Sequence, residues 1–198
     1  MIGIREALDF VYRDLIKKQT VFSWLQRQTF RPEIYFPPPN GPGRQSLLSR
    51  ADIVVMGILS CLFSLNIRFQ QLQIMPGVTT DDTQIFFERA EVTKEGQPPM
   101  FHATIDSIGV GRGIQKFLEA NDFQVICVVY RYRLPGSMAD FFGAGQNKSN
   151  ATLTRIFFFP PSLSHRYDRP VDELEPAETV SFVNIRRIVS HVDRALGM

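Results

Sequence analysis

One stretch decides the fold of the N-terminal part: Ser49-Arg50-Ala51-Asp52-Ile53-Val54-Val55-Met56-Gly57-Ile58-Leu59-Ser60-Cys61-Leu62-Phe63-Ser64-Leu65. Its apolar residues recur at every third position, the spacing of one face of a helix. They are Ile53, Met56, Leu59, Leu62 and Leu65. Ser49 and Asp52 stand in the Ser-x-x-acid order of a capping box, which predicts a sharp helix start. Asn66 tolerates left-handed backbone and predicts the helix end, after which residues 67–72 begin a second, short amphipathic helix.

Two helices are predicted upstream of this stretch. The first, over about residues 3 to 17, follows from the helical spacing of Ile4, Leu8, Val11 and Leu15. Residues 17–19 then make a turn, and the Thr20 hydroxyl is predicted to cap a second helix from about Thr20 to Gln28. The residues spaced to dock this helix are Val21, Trp24 and Leu25. Trp24 is therefore predicted to be core rather than a stacking platform for single-stranded nucleic acid.

A segment rich in proline and glycine separates these helices from residues 49–65. Between Arg31 and Arg50 lie five prolines and two glycines, which exclude a helix and favour an extended excursion. Two short predicted strands, residues 34–36 and 45–48, flank it. The sequence therefore predicts a wing over about Ile34 to Leu48, after a pair of helices with a tight link, the minimum of a helix-turn-helix.

From about residue 20 to residue 75 the sequence resembles the DNA-binding domain of MerR-type regulators. In that family the wing is followed by a helix that opens with an acidic residue and carries apolar residues at fixed steps, as Asp52 and the residues after it do. Upstream, the family's recognition helix and the turn leading to Arg-Pro are similar to residues 20–27 and to Phe30-Arg31-Pro32. Gln70 and Gln71 stand where the family has acidic residues. The resemblance implies a winged helix-turn-helix that binds duplex DNA as a transcription regulator.

Beyond residue 83 the apolar pattern changes to that of β-strands. Five segments rich in aromatic and β-branched residues are bounded by Gly, Pro or Asn, and they are residues 84–92, 100–105, 123–133, 151–159 and 179–183. Two helices, at about residues 112–121 and behind an Asn184 cap, interrupt them. The predicted fold class is α+β, with a winged helix-turn-helix domain over residues 1–77 and a C-terminal domain over residues 83–198 that contains a mainly antiparallel sheet and two helices.

The resemblance also implies a homodimer on two-fold related duplex DNA. MerR-type regulators dimerise through a long helix after the DNA-binding part, and no such helix directly follows residue 75. Dimerisation is therefore expected to use the sheet or the helix that begins at Asn184. The C-terminal domain is also the expected place for a small-molecule or protein effector.

Charge is distributed unequally along the chain. Of its 198 residues 44% are hydrophobic, which is enough for a buried core. Residues 1–75 hold 9 Lys+Arg against 5 Asp+Glu, a net charge of +4, and residues 76–198 hold 13 against 15, a net charge of −2. A basic front part suits contact with phosphate, although ordinary scatter gives similar values.

The candidate DNA contacts are polar and basic residues of the turn, the recognition helix and the wing. They are Lys17, Lys18, Gln19, Thr20, Ser23, Arg27, Arg44 and Arg50. Lysine neutralises phosphate with little sequence preference, whereas Gln and Arg pair bidentately with adenine and guanine edges. The alternative is that these residues are the solvated surface of a helical domain that binds protein, as an adaptor or an antitoxin-like partner does.

No catalytic residue, metal site or cofactor is predicted, so a small enzyme in the C-terminal domain is the less favoured alternative. The three histidines and two cysteines lack metal-ligand spacing. Gly109-Val110-Gly111-Arg112-Gly113 lacks the spacing of a phosphate-binding loop and predicts a turn into the following helix. Along residues 130–133 two tyrosines alternate with two arginines, which favours a charge-protected edge strand, with an effector pocket as the alternative.

The expected location is the cytoplasm. Both cysteines, Cys61 and Cys127, lie in apolar runs, where a thiol behaves as a small hydrophobe. Charged residues interrupt any apolar core of a signal peptide at the N-terminus, and the longest apolar run is too short for a membrane span. No membrane association is therefore predicted.

Overall fold

A computed structural model describes residues 1–12, 16–26, 47–67, 73–74, 85–94, 100–102, 110–134, 149–162 and 178–198. The chain divides into two compact units, each assembled from separate stretches of sequence. The first, here the helical unit, comprises Met1–Gln70, Ile108–Gln124 and Asn184–Met198. The second, the sheet unit, comprises Gln71–Ser107 and Val125–Val183. Mixed helix and sheet agree with the predicted α+β class.

The helical unit is built around one buried helix. In chain order its elements are β1 (Ile2–Gly3), α1 (Ile4–Phe10), α2 (Lys18–Gln26), β2 (Leu47–Leu48), α3 (Arg50–Ser64), α4 (Val110–Ala120) and α5 (Ile185–Leu196). Residues 51–59 of α3 are all buried, and α3 packs against both α4 and α5. A helix that is apolar on every side needs partners on every side, which is why distant parts of the chain meet around it.

Both predicted ends of α3 are confirmed. The backbone N–H of Asp52 donates to Ser49 Oγ at 3.1 Å, and the N–H of Ser49 donates to Asp52 Oδ2 at 2.8 Å, so the capping box is complete. At the other end Asn66 has φ +59°, the left-handed conformation expected of it. The second helix predicted after Asn66 lies largely outside the described residues.

A short strand at the start of the chain was not predicted. Ile2 and Gly3 pair antiparallel with Leu48 and Leu47, so β1 meets the strand that leads out of the predicted wing. Two residues are too few to show a strand period, and the apolar spacing extended the predicted first helix over residues 3 to 17. The helix α1 instead spans Ile4–Phe10. Wing residues 34–46 lie outside the described residues, whereas the predicted strand at Leu48 is present.

Tyr12 and α5 pack closely against α3 at Gly57. The Tyr12 hydroxyl donates to the Ile53 carbonyl at 2.8 Å, and burial raises the pKa of that hydroxyl above its usual range. A Cβ at Gly57 would overlap the Tyr12 hydroxyl and lie 2.7 Å from Ile188 Cγ2 of α5. The absence of a side chain at Gly57 therefore permits both Tyr12 and α5 to pack on α3.

The sheet unit contains β3 (Gln73–Ile74), β4 (Ile85–Lys94), β5 (Met100–His102), β6 (Ile126–Leu134), β7 (Ser149–Phe159) and β8 (Thr179–Val183). The strand order is β3-β4-β7-β6-β8, with β5 beside β4, and every pairing is antiparallel. The mainly antiparallel sheet is therefore confirmed, and each predicted strand overlaps an observed one. Both faces of the sheet are buried at residues 127–130 of β6 and at residues 156–159 of β7.

The two helices predicted for the C-terminal domain belong instead to the helical unit. Their start and end agree closely with the prediction, and the Asn184 side chain caps α5 by accepting the N–H of Arg187 at 2.9 Å. Their apolar faces, however, are buried in the helical unit, with Ile114 and Val192 fully inaccessible. Amphipathic spacing shows which face of a helix is buried but not which partner covers it. The compact units therefore differ from the predicted ranges 1–77 and 83–198.

The expectation of an edge strand at residues 130–133 is wrong. Strand β6 lies between β7 and β8, and Tyr130 and Tyr132 are 7% and 3% exposed. Arg133 Nε instead pairs with Glu178 Oε1 at 3.0 Å on the surface. No helix in the described ranges has both the length and the apolar character to cross a bilayer.

We expect Gly57→Ala to lower the free energy of unfolding by about 1 to 3 kcal/mol, because the added methyl group overpacks the contact with Tyr12 and Ile188. Urea denaturation measures this. Tyr12→Phe removes the overlapping hydroxyl, so Gly57→Ala should cost less in that background than in the wild type. Equal costs in the two backgrounds would contradict the close approach at Gly57.

Candidate nucleic-acid interface

Helix α2 has a buried face and an exposed face. Val21, Trp24 and Leu25 are 0%, 5% and 8% exposed, which confirms that they dock the helix and that Trp24 is core. The Trp24 ring meets the Phe63 ring of α3 edge-on, with centroids 6.4 Å apart. Within the described residues the helix is therefore held through this side, and Gln19 and Phe22 on its other side are exposed.

The exposed face of α2 presents Gln19, Phe22 and Ser23. Gln19 is exposed, Ser23 is half-buried, and Phe22 is 44% exposed, an unusual position for a phenylalanine. Residues three and four apart lie side by side on a helix, so Gln19 is adjacent to both Phe22 and Ser23. These side chains form one continuous surface, which we call the outer face of α2.

Lys17 and Lys18 stand where α2 begins. The Lys17 carbonyl accepts the N–H groups of Thr20 at 2.9 Å and Val21 at 3.4 Å, so the helix starts at Lys18. Thr20 consequently lies in the first turn and does not cap the helix as predicted. Both lysines are exposed at the end of the helix where the backbone dipole is positive, a place that favours anions.

Lys18 also forms a surface ion pair within the helical unit. Its Nζ lies 3.1 Å from Asp9 Oδ1, and both side chains are more than half exposed. Ion pairs of this kind contribute at most about 1 kcal/mol, because water and salt screen them. A phosphate group can therefore compete with Asp9 for the Lys18 ammonium.

Arg50 does not have the free guanidinium predicted for a phosphate contact. Its Nε donates to Asp193 Oδ1 at 2.6 Å and its terminal nitrogen donates to Asp193 Oδ2 at 2.9 Å, a bidentate pair. The guanidinium also lies over the Phe123 ring, 4.3 Å from the centroid. The hydrogen bonds lower the pKa of Asp193 and raise that of Arg50. Arg50 thus joins α3 to α5 and to the end of α4.

Of the remaining predicted contacts, Arg27 and Arg44 lie outside the described residues. Thr20 is half-buried in the first turn of α2, beside the buried face. Phe22 was not among the predicted contacts, although the helical spacing of Val21, Trp24 and Leu25 already placed it on the opposite side. A phenylalanine side chain has no charge or hydrogen-bonding group, so the polar pattern that predicted the other contacts did not include Phe22.

The division into units sharpens the charge asymmetry. The helical unit holds 14 Lys+Arg against 8 Asp+Glu, a net charge of +6, and the sheet unit holds 8 against 12, a net charge of −4. Two of the added cations are Arg186 and Arg187 of α5. The unit that contains α2 is thus more basic than residues 1–75 alone, which favours association with a polyanion.

Other chemistry is weakly represented in the part of the chain that the structure describes. No group of three or more His, Cys, Asp or Glu side chains there is placed to hold a metal ion. Gly111 and Gly113 lie inside α4 rather than in a loop ahead of it. Cys61 and Cys127 are free thiols, and burial raises the pKa of Cys61.

We expect Asp193→Asn to lower the free energy of unfolding by about 1 kcal/mol at pH 7, because it removes the charge bound by Arg50. The pKa of Asp193 is lowered by folding from an ordinary value of 3.8, so the stabilisation is present above that pH. It is lost as the pH falls through the lowered pKa of the folded protein. Urea denaturation at pH 7 and near pH 3 should therefore show a variant deficit that shrinks in acid.

The matched control for this experiment is Asp122→Asn, which removes a charge near Arg50 without removing a hydrogen bond. It should change stability less than Asp193→Asn at pH 7. A deficit of Asp193→Asn that is equal at both pH values would show that the ion pair is not its cause.

In comparisons with known proteins, no protein-family model, no curated protein and no solved structure matches the chain.

Proposed function

We propose that this protein is a sequence-specific duplex DNA-binding transcription regulator that reads the major groove with α2. The observation that carries the proposal is the outer face of α2, the exposed side of a helix whose other side is buried and which has two lysines at its start. A helix of this diameter fits the major groove, where recognition helices present their N-terminal residues to base edges.

Each side chain of the outer face has a counterpart in the groove. Gln19 can pair bidentately with adenine through N6 and N7, and Phe22 can pack against the thymine methyl group. Ser23 accepts or donates to either kind of base edge. Lys17 and Lys18 would neutralise phosphates at the rim of the groove and fix the orientation of the helix. The combination favours A·T base pairs.

The order of the elements supports a winged arrangement of the MerR type. Two helices are followed by a Pro- and Gly-rich segment, and the strand after it, β2, pairs with β1 at the start of the chain. In the proposal this pairing holds the base of the wing beside α1. Arg44, within this segment, is then placed by the proposal on phosphate or in an adjacent minor groove.

The proposal includes a homodimer, because two-fold related DNA sites are read by two copies of a helix-turn-helix. A candidate contact is β8, which within the described strands pairs only with β6 and exposes Val180 and Phe182 by 48% and 71%. An exposed apolar strand edge is a ready surface for a second strand.

The same surface favours a second candidate function. A protein-interaction module would use β8 and its exposed Val180 and Phe182 to bind another protein by strand addition, with no part for DNA. The two functions differ in salt dependence, since only contact with phosphates releases counterions in proportion to the charges neutralised.

We expect binding to random-sequence duplex DNA to weaken log-linearly with salt, and Lys17→Ala/Lys18→Ala to reduce the slope by about 2, one for each phosphate contact. Fluorescence anisotropy across a salt series measures this, with sedimentation to record the oligomeric state. The charge-matched control is Lys116→Ala/Arg194→Ala, which removes two exposed cations from α4 and α5 of the same unit.

Equal slopes for the two double variants would show that the lysines of α2 do not contact phosphate. Absence of binding at low salt by folded protein would reject the regulator and favour the protein-interaction module.

We expect Phe22 to read thymine. In a duplex selected from a random pool for tight binding, replacing the thymines of the protected site with deoxyuridine should weaken binding by wild-type protein by about 3- to 10-fold. Phe22→Ala should bind both duplexes equally. Deoxyuridine placed outside the protected site serves as the control, and equal sensitivity of wild type and Phe22→Ala would contradict the contact.

A further inference from the structure

The helical unit contains a cavity of about 590 Å³ between α3, α5 and the residues after α1. Its walls are formed by Tyr12, Gly57, Ser60, Cys61, Ser64, Asn184, Arg187, Ile188 and His191. The volume falls within the range of about 300 to 1,000 Å³ typical of small-molecule sites. None of the residues used by the outer face of α2 lines it, so it is a separate feature of the unit.

The cavity wall combines an apolar floor with a polar rim. Gly57 and Ile188 give the floor, and Tyr12 and Ile188 occupy the space where a side chain at Gly57 would lie. Ser60, Ser64 and Asn184 supply hydroxyl and amide groups. A largely apolar body with a few convergent polar groups is the usual composition of a ligand site.

The charge of the wall is entirely positive or neutral. No aspartate or glutamate is among the lining residues, whereas Arg187 is exposed in the first turn of α5. Within the described residues no carboxylate lies at ion-pair distance from Arg187, in contrast to Arg50, which is bound to Asp193. The positive end of the α5 dipole lies at the same rim. The wall therefore favours an anion.

His191 is held in place at this rim. Its Nε2 donates to the Val11 carbonyl at 2.8 Å, which fixes the ring orientation and leaves Nδ1 for a second partner. The Tyr12 hydroxyl, by contrast, is engaged with the Ile53 carbonyl and contributes mainly its ring edge. The groups left to donate to an anionic ligand are thus Arg187 and Ser60, because the Ser64 hydroxyl donates to the Cys61 carbonyl at 2.6 Å.

We propose that this cavity binds a small organic carboxylate with an apolar body. The carboxylate pairs with the Arg187 guanidinium, and the apolar body lies against Ile188 and the ring of Tyr12. The site belongs to the helical unit, and α5 is the part of its wall that comes from residues 83–198, the C-terminal domain in which an effector was expected from the sequence. The proposal does not depend on DNA binding.

The test uses two probes of the same shape, 2-naphthoate and its uncharged amide, 2-naphthamide. Calorimetric titration of the full-length protein should show saturable binding of the naphthoate, about 10-fold or more tighter than the amide, as expected of a charge-assisted pair. Arg187→Gln should abolish the preference. The matched control Arg186→Gln changes the neighbouring arginine, which bonds Gln124 and does not line the cavity, and should retain the preference.

The reactivity of Cys61 gives a second, independent measure of where the ligand binds. It is half-buried in the cavity wall, whereas Cys127 is fully buried in the sheet unit, so N-ethylmaleimide should modify Cys61 first. Bound naphthoate should slow this modification, measured by mass spectrometry, and the amide at equal concentration should not. Thermal unfolding of each variant establishes that it is folded. No saturable binding, equal affinity for the two probes, an anion preference that survives Arg187→Gln, or unprotected Cys61 would each overturn the proposal.

Discussion

The helical unit depends on the close approach of Tyr12 and α5 to the backbone of α3 at Gly57. In a helix the Ile53 carbonyl already accepts the N–H of residue 57, and a side chain at that position would shield it from further partners. Because Gly57 has none, the Tyr12 hydroxyl reaches the carbonyl and Ile188 packs beside it. One missing side chain thereby brings Tyr12, α3 and α5 together, and so connects the first stretch of the unit with the last.

The sequence predicted those features that are encoded within a few residues. The capping box of α3, the left-handed Asn66, the Asn184 cap and the strands of the sheet each depend on a local pattern of side chains, and all are present. The apolar periodicity of α2 likewise placed Trp24 in the core. Such signals are reliable because the physical cause, a hydrogen bond or a buried face, acts between near neighbours in the chain.

What the sequence could not predict depends on partners that are distant in the chain. The alternation along β6 shows which side chains share a face but not which strands lie beside it, so a central strand was mistaken for an edge. The apolar faces of α4 and α5 gave no indication that they are buried in the helical unit. The cavity lined by Ser60 and Arg187 combines residues more than a hundred positions apart, and no motif spans that distance.

The contacts of Arg50 with its neighbours decide whether it is suited to bind phosphate. As a basic residue next to the proposed wing it suits phosphate, yet Asp193 offers a carboxylate in bidentate geometry and Phe123 a ring face. Moving this guanidinium to DNA would break two charge-assisted hydrogen bonds and leave Asp193 without its partner. A lysine at the start of α2 can reach phosphate without breaking such hydrogen bonds. Within the described residues, Lys18 has only a screened surface ion pair with Asp9. The phosphate contacts are therefore better assigned to α2 than to Arg50.

The last turns of α3 connect the two proposed sites. Ser60, Cys61 and Ser64 face the cavity, while Phe63, in the same turn, packs against Trp24 on the buried face of α2. A ligand in the cavity thus touches the segment that supports α2 without touching α2 itself. It changes DNA affinity only to the extent that it binds more tightly to one arrangement of this segment than to another. If both proposals hold, Phe63 offers a route by which such a difference reaches Trp24, because its ring meets the Trp24 ring edge-on.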